Sequence, residues 1–84
     1  MVYPNPVDET GILNIKFNNE PAGKYKLCLY DNNGSKVYEQ DIYYDGNNEK
    51  ISISLIKLNL TGNYKLVLFS NDDVIIKESI NFNK

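Results

Sequence analysis

Apolar and polar residues alternate in two stretches of this 84-residue chain, and the two stretches are nearly the same. Residues 23–30 read Gly-Lys-Tyr-Lys-Leu-Cys-Leu-Tyr, and residues 62–69, which begin 39 positions later, read Gly-Asn-Tyr-Lys-Leu-Val-Leu-Phe. An alternation with a period of two is typical of a β-strand that buries one face. The positions expected on the buried face are the tyrosine and both leucines of each stretch: Tyr25, Leu27, Leu29, Tyr64, Leu66 and Leu68.

Each stretch is followed by turn-forming residues and then by a second apolar stretch, a pattern that predicts two β-hairpins. The first turn is expected at residues 31–35, where Asn33-Gly34 favours a two-residue turn with positive φ. The second turn is expected at residues 70–73. Two repeats are too few for a solenoid, so we expect the hairpins to face each other as the two layers of a sandwich. Gly34 and Gly62 are expected to serve backbone geometry.

Short strands are also predicted outside the repeats, and no segment has a helical period. Tyr3-Pro4-Asn5-Pro6 is expected to form a short extended strand at a sheet edge, because proline fixes φ and lacks an N–H group. Residues 12–17 and 51–55 alternate cleanly. The side chains that these two strands are expected to bury are aliphatic or aromatic: Leu13, Ile15, Phe17, Ile51, Ile53 and Leu55.

The two return strands are less regular, although the fold class is still all-β. Val37 and Ile42 are an odd number of positions apart, so a regular strand cannot place both in the core. We expect either a bulge near residues 39–41 or a register in which Tyr38 and Ile42 share one face. In the last strand the pattern predicts one apolar face: Val74, Ile76, Ile80 and Phe82.

Composition excludes several classes of function. Nine lysines stand against eleven acidic residues, with no arginine, which argues against a nucleic-acid-binding protein. The single cysteine, Cys28, allows no internal disulfide, and the lack of histidine removes the commonest zinc ligand and the usual general base. No apolar run reaches the length of a membrane helix. We therefore expect no enzymatic activity and no cofactor.

Two turns have spacings that are similar to those of calcium-binding loops. Asp31, Asn33 and Ser35 alternate in the first, and Asp45, Asn47 and Glu49 alternate in the second, but neither has the full set of oxygen ligands. Local hydrogen bonding by turn residues explains both patterns, and a bound metal stays open as an alternative.

The outward positions of the repeat strands carry lysines and aromatic residues. The candidate docking face consists of Lys24, Lys26, Tyr30, Lys65 and Phe69. Such a face is either an ordinary solvated surface or a surface that binds a partner protein, and the sequence leaves both open.

Three motifs, in this order, resemble those of the C-terminal sorting domain, type A, of proteins exported by the type IX (Por) secretion system of Bacteroidota. They are Tyr-Pro-Asn-Pro at residues 3–6, Leu-Tyr-Asp-x-x-Gly-x-x-Val at residues 29–37, and Gly-x-Tyr-x-Leu at residues 62–66. A lysine in the last strand matches as well. The residues that carry the resemblance are Tyr3, Pro4, Asn5, Pro6, Leu29, Tyr30, Asp31, Gly34, Lys36, Val37, Gly62, Tyr64 and Lys77.

The resemblance implies a seven-stranded, immunoglobulin-like β-sandwich that acts as a non-catalytic address label. Residues 1–84 would be one domain cut from a larger secreted protein, which agrees with the lack of a recognisable signal peptide after Met1. The implied route passes through the periplasm to the cell surface or the medium. The implied partners are an N-terminal cargo domain, the type IX translocon, and a surface peptidase that usually removes the sorting domain.

Two other functions remain as alternatives at this stage. A non-catalytic adhesion or carbohydrate-binding module would share the fold, although the absence of tryptophan weakens the case for a sugar-binding platform. A structural spacer between domains would share it too, and would be expected to continue beyond Lys84. In any of these roles the open sheet edges of a small sandwich could pair into a homodimer.

Overall fold

The computed structural model describes residues 2–47 and 50–82, and these residues form two antiparallel sheets packed as a sandwich. The three-stranded sheet has the order β1-β2-β5, and the four-stranded sheet has the order β4-β3-β6-β7. The strands are β1 (Val2–Tyr3), β2 (Ile12–Lys16), β3 (Gly23–Tyr30), β4 (Lys36–Tyr44), β5 (Lys50–Ser54), β6 (Gly62–Ser70) and β7 (Asp73–Phe82). A single 3₁₀ turn, Ile56–Leu58, precedes β6. The prediction of an all-β sandwich of about seven strands is confirmed.

The two repeated hairpins lie side by side in one sheet, so the expectation that they face each other is wrong. β3 pairs directly with β6, and Cys28 lies opposite Val67, its own counterpart 39 positions later. The four-stranded sheet therefore has an approximate two-fold axis between these two residues. Edge-to-edge pairing gives each repeat strand a hydrogen-bonding partner on its free side, whereas stacking would have left both edges open. The second layer comes from β1, β2 and β5.

The core lies between the two sheets and is built from the alternating positions. Leu13, Ile15, Leu27, Leu29, Leu66 and Leu68 are fully buried there. Phe17 stacks on Tyr44 with ring centroids 4.2 Å apart and meets Tyr25 edge-on at 5.3 Å. The Tyr25 hydroxyl donates a hydrogen bond to the Pro21 carbonyl oxygen at 2.6 Å, so its buried ring keeps a satisfied polar end. The predicted faces of β2, β3 and β6 are confirmed.

The two hairpin turns differ in length from the predicted ones. The first hairpin has a longer loop, residues 31–35, in which Gly34 has a φ of 84° and donates its N–H to the Asp31 carbonyl oxygen. The two-residue turn lies in the second hairpin instead, where Asn71 and Asp72 have φ values of 50° and 71°. Asn and Asp tolerate this left-handed conformation, which matches the right-handed twist of the flanking strands.

A bulge in each hairpin explains the irregular return strands. In the first, the register shifts between Leu29 and Tyr30, so that Val37 is the extra residue. Tyr38 and Ile42 then share the inner face, as one of the two predicted registers requires, and the bulge expected near residues 39–41 is wrong.

The second bulge lies near the start of β7 and turns one predicted core residue outward. The register shifts between Leu68 and Phe69, which makes Ile75 the extra residue. Val74 consequently pairs with the outward-facing Phe69 and is 55% exposed, so its predicted core position is wrong. The other three predicted positions are inward: Ile76, Ile80 and Phe82.

The opening segment is a sheet edge, as predicted, but its strand has only two residues. Val2 and Tyr3 pair with Ile15 and Asn14 of β2. The chain then bends through residues 4–6, where both X–Pro peptide bonds are cis. Across the described residues no helix has the length and apolar character needed to cross a bilayer.

Candidate functional site

Asn5, in the first motif, joins the opening segment to the last strand. Its side-chain N–H donates to the Ser79 carbonyl oxygen at 2.9 Å, and its side-chain oxygen accepts from the Asn81 N–H at 3.0 Å. The Val7 N–H donates to the Asn81 carbonyl oxygen at 2.7 Å and extends the same contact. The amide of Asn5 thus acts as an additional peptide group along the outer edge of β7. The motif connects the two layers of the sandwich.

Replacing Asn5 with alanine is expected to lower the free energy of unfolding by about 1–3 kcal/mol, because two hydrogen bonds to β7 are lost. Amide hydrogen exchange should accelerate at Asn81, whose N–H loses its acceptor. Asn18→Ala is the matched control, since Asn18 is an exposed loop asparagine. Equal unfolding curves for the two variants would show that the Asn5 contact adds nothing to stability.

The other motif residues divide between the core and the surface. Leu29 is fully buried, Tyr64 packs edge-on against Phe82 at 5.5 Å, and Gly34 and Gly62 both have positive φ, as expected for backbone-determining positions. Asp31 closes its own loop, because its carboxylate accepts hydrogen bonds from the N–H groups of Asn33 and Ser35 at 2.9 Å each. The exposed motif side chains are Asn5, Pro6, Lys36, Val37 and Lys77, and the partly exposed ones include Tyr3, Pro4, Tyr30 and Asp31.

The outward surface of the four-stranded sheet brings four of the five docking-face residues into a cross-strand pattern. Lys26 lies opposite Phe69, and Tyr30 lies opposite Lys65. These two lysine–aromatic pairs are related by the approximate two-fold axis, with Cys28 and Val67 nearly buried between them. Side chains that are directly opposite in an antiparallel pair contact each other. We call this surface, together with Lys24, the outer face.

Two shallow depressions lie on the outer face, and Tyr30 borders both. The first, of about 430 Å³, contains Lys24, Lys26, Tyr30 and Phe69 around Cys28. The second, of about 610 Å³, lies beside the first hairpin loop and contains Lys65 and Asn63. Lys65 is thus the one predicted docking residue that the structure places outside the first depression. The two-fold arrangement gives each depression an aromatic ring, a lysine and a turn asparagine.

Acidic residues of β4, which the sequence argument did not single out, pair with the lysines of the first depression. The Nζ atoms of Lys24 and Lys26 lie 3.7 Å from carboxylate oxygens of Asp41 and Glu39, respectively. Lys36 also pairs with Glu39, and its hydrogen bond is the main cause that lowers the pKa of the Glu39 carboxyl, with Lys26 adding to the effect. The signal that could have identified these acids is the register between β3 and β4.

The ring of Tyr30 is half-buried where the two depressions meet. Burial raises the pKa of its hydroxyl, and the neighbouring Cys28 contributes in the same direction. The hydroxyl therefore stays protonated at neutral pH and can donate a hydrogen bond to a docked partner. The outer face offers cationic, aromatic and hydrogen-bonding groups without an excess of either charge around the first depression.

Metal binding finds no support in the part of the chain that the structure describes, where no group of three or more acidic or cysteine side chains could hold an ion. The Asp31 carboxylate is used by its own loop. Asp45 accepts a hydrogen bond from the Asn47 N–H at 2.8 Å, whereas Glu49 of the second candidate loop lies outside the described residues. Turn chemistry accounts for the bonds seen in both loops.

The comparison with protein families gives one match that covers nearly the whole chain. The model of the secretion system C-terminal sorting domain matches residues 1–81, which include β1 to β6 and all of β7 except its last residue. No protein with curated annotation matches the chain at a significant level.

Proposed function

The chain belongs to the family of secretion system C-terminal sorting domains, and from this membership we propose that the folded sandwich as a whole is the export signal. A type IX sorting domain of this family directs a cargo protein to the cell surface or the extracellular space. The observation that carries the proposal is the extent of the family match, which includes both sheets rather than a short peptide at one end.

The places of the motif residues support recognition of a folded domain. Leu29 is in the core, Gly34 and Gly62 set the backbone at turns and strand ends, and Asn5 joins the two layers. These four residues specify a shape, because the Leu29 side chain is buried, the two glycines have no side chain, and the Asn5 amide is bonded to β7. The remaining surface residues then provide the contacts.

We assign the recognition to the outer face and the partner to the type IX translocon. In this proposal the domain is of type A and comes from a member of the Bacteroidota. It follows an N-terminal cargo domain through the periplasm and is removed by a surface peptidase after transport. The domain itself acts by protein–protein contact, without a cofactor.

The export signal is tested by fusing a signal peptide and a fluorescent protein ahead of residues 2–84. The fusion is expressed in a type IX-competent bacterium and in a strain that lacks the translocon. Fluorescence at the surface or in the medium only when the translocon is present is the expected result. Fluorescence that stays in the periplasm of both strains, with the domain folded, would overturn the proposal and favour an adhesion or carbohydrate-binding module.

Reversing one charge on the outer face is expected to separate docking from folding. Lys65→Glu should reduce export of the fusion at least about tenfold, because a like-charge or unpaired contact at an interface costs several kcal/mol. The free energy of unfolding should change by no more than about 0.5 kcal/mol, since Lys65 is exposed and the residues directly opposite it, Tyr30 and Ser79, are uncharged.

The matched control for this test is Lys57→Glu, which makes the same charge change at an exposed lysine of the 3₁₀ turn. Lys26→Gln adds a second test on the outer face, and the uncharged glutamine avoids placing another carboxylate opposite Asp41. Export by Lys65→Glu and Lys26→Gln at the level of Lys57→Glu would rule out the outer face as the docking surface.

A further inference from the structure

The sheet edges in the described part of the chain are protected to very different degrees. β1 has two residues and is followed by prolines, and the outer edge of β7 carries the contacts from Asn5 and Val7. β5 has five residues. β4, by contrast, is an edge strand of nine residues without proline, and its bulge at Val37 leaves the rest of the strand regular. A long regular edge is a template for pairing with another strand.

We propose that two copies of this chain pair in antiparallel fashion through β4, with Gln40 opposite Gln40 of the second copy. This register is centred on the middle residue of the strand and pairs its regular part, from Tyr38 to Ile42, with Val37 and Tyr43 at the two ends. It also keeps the core faces of both copies on the same side, which a shift by one position would not. The product is a continuous eight-stranded sheet across the two sandwiches.

The exposed apolar residues of β4 are placed symmetrically for this register. Val37 is 40% exposed and Tyr43 is 73% exposed, and they lie three positions on either side of Gln40. In the dimer each Val37 would therefore lie across from Tyr43 of the second copy. Aromatic and β-branched residues are favourable cross-strand partners, so the pairing covers two exposed large apolar side chains of the described residues.

The charges of β4 decide whether this pairing can be tolerated. Glu39 would lie across from Asp41 of the second copy, and like charges directly opposite each other are unfavourable. Each carboxylate, however, already has a lysine of its own chain 3.7 Å away, Lys26 for Glu39 and Lys24 for Asp41, and Glu39 has Lys36 in addition. The four acids of the interface are thus flanked by six lysines.

Cysteine cross-linking tests both the dimer and its register. In a Cys28→Ala background, Gln40→Cys should form a disulfide-linked dimer under mild oxidation, since directly opposite Cα atoms are about 4.5–5.5 Å apart. Glu39→Cys is the matched control, because its counterpart is displaced by two positions along the strand and lies beyond about 7 Å. Cross-linking of Glu39→Cys to the same extent as Gln40→Cys would overturn the register.

Analytical ultracentrifugation of the 84-residue chain tests the association without a cross-link. We expect a monomer–dimer equilibrium that Tyr43→Ser weakens about tenfold, because two aromatic cross-strand pairs are lost, while the uncharged serine avoids placing a second lysine opposite Lys24. A chain that stays monomeric at every concentration, or a dimer that Tyr43→Ser leaves unchanged, would overturn the proposal. This inference concerns β4 and does not rest on the role of the domain in secretion.

Discussion

Leu66→Ala is expected to lower the free energy of unfolding by about 2–5 kcal/mol, a large part of the stability of so small a domain. Leu66 is fully buried in the central strand β6, opposite the equally buried Leu29 of β3. Removing its three outer carbons loses their burial and leaves a cavity at the middle of the sheet, where neighbouring strands are held by hydrogen bonds on both sides. Chemical denaturation followed by circular dichroism measures the loss.

The comparison variant for Leu66→Ala is Ile12→Ala. Ile12 is also an aliphatic strand residue, but it is 42% exposed, so its truncation should cost about 1 kcal/mol or less. If Leu66→Ala and Ile12→Ala unfold at the same denaturant concentration, the side chain at position 66 is not the core residue that the structure indicates.

The export consequence of Leu66→Ala follows from the folded-domain proposal. The variant should export poorly because less of the domain is folded, whereas Lys65→Glu at the adjacent position should export poorly while folded. These two neighbours point to opposite sides of β6, so their contrast separates loss of fold from loss of contact. Normal export of an unfolded Leu66→Ala domain would show that a linear sequence is sufficient.

The period-two alternation made most of the fold predictable. It predicts the buried positions Leu13 and Ile15 of β2, the buried Phe17 just after that strand, and the inner faces of both repeat strands. These assignments depend only on neighbouring positions in one strand, which a sequence displays directly. The candidate docking residues followed from the same rule, since the positions that are not inward are outward.

The arrangement of the strands was less accessible from the sequence. The repeat indicates two similar hairpins, but whether they stack or pair depends on the free edges of β3 and β6, and both arrangements bury the same residues. The sequence does not indicate the bulges at Val37 and Ile75 either. The extra residue of a bulge reverses which of the following side chains face inward, but it need not be of any particular residue type. Val74 was misplaced for this reason.

The sequence did not predict the contacts between segments that are far apart along the chain. Asn5 bonds to residues 74 and 76 positions later, and nothing in a proline-rich opening segment indicates which strand it will meet. The pairing of Glu39 and Asp41 with the docking-face lysines likewise needs the register of β3 and β4. Such pairs are properties of the assembled sheet, whereas turn preference and alternation are properties of short segments.

Gly11→Ala is expected to destabilise the domain by about 2–5 kcal/mol, although Gly11 lies in a loop and in none of the three motifs. Gly11 has a φ of 68°, and an added Cβ would lie 2.8 Å from the Ile56 Cα and 2.9 Å from the Ile56 nitrogen. Backbone atoms cannot move aside as a flexible side chain can. The Gly11 carbonyl oxygen also accepts a hydrogen bond from the Leu55 N–H at 2.9 Å, so a shift of the loop to relieve the contact would break that bond.

Gly62→Ala is the comparison variant that distinguishes the destabilisation caused by a close contact from the destabilisation caused by backbone strain. Gly62 has a φ of 90°, but an added Cβ there meets no atom within 4 Å, so the expected cost is conformational strain alone, about 1–2 kcal/mol. Denaturant midpoints for the two variants, measured beside the unaltered chain, should therefore fall in the order unaltered, Gly62→Ala, Gly11→Ala. Equal midpoints for the two alanine variants would mean that the loop at Gly11 withdraws from Ile56 at no cost. The contact between this loop and the 3₁₀ turn would then not be a fixed part of the fold.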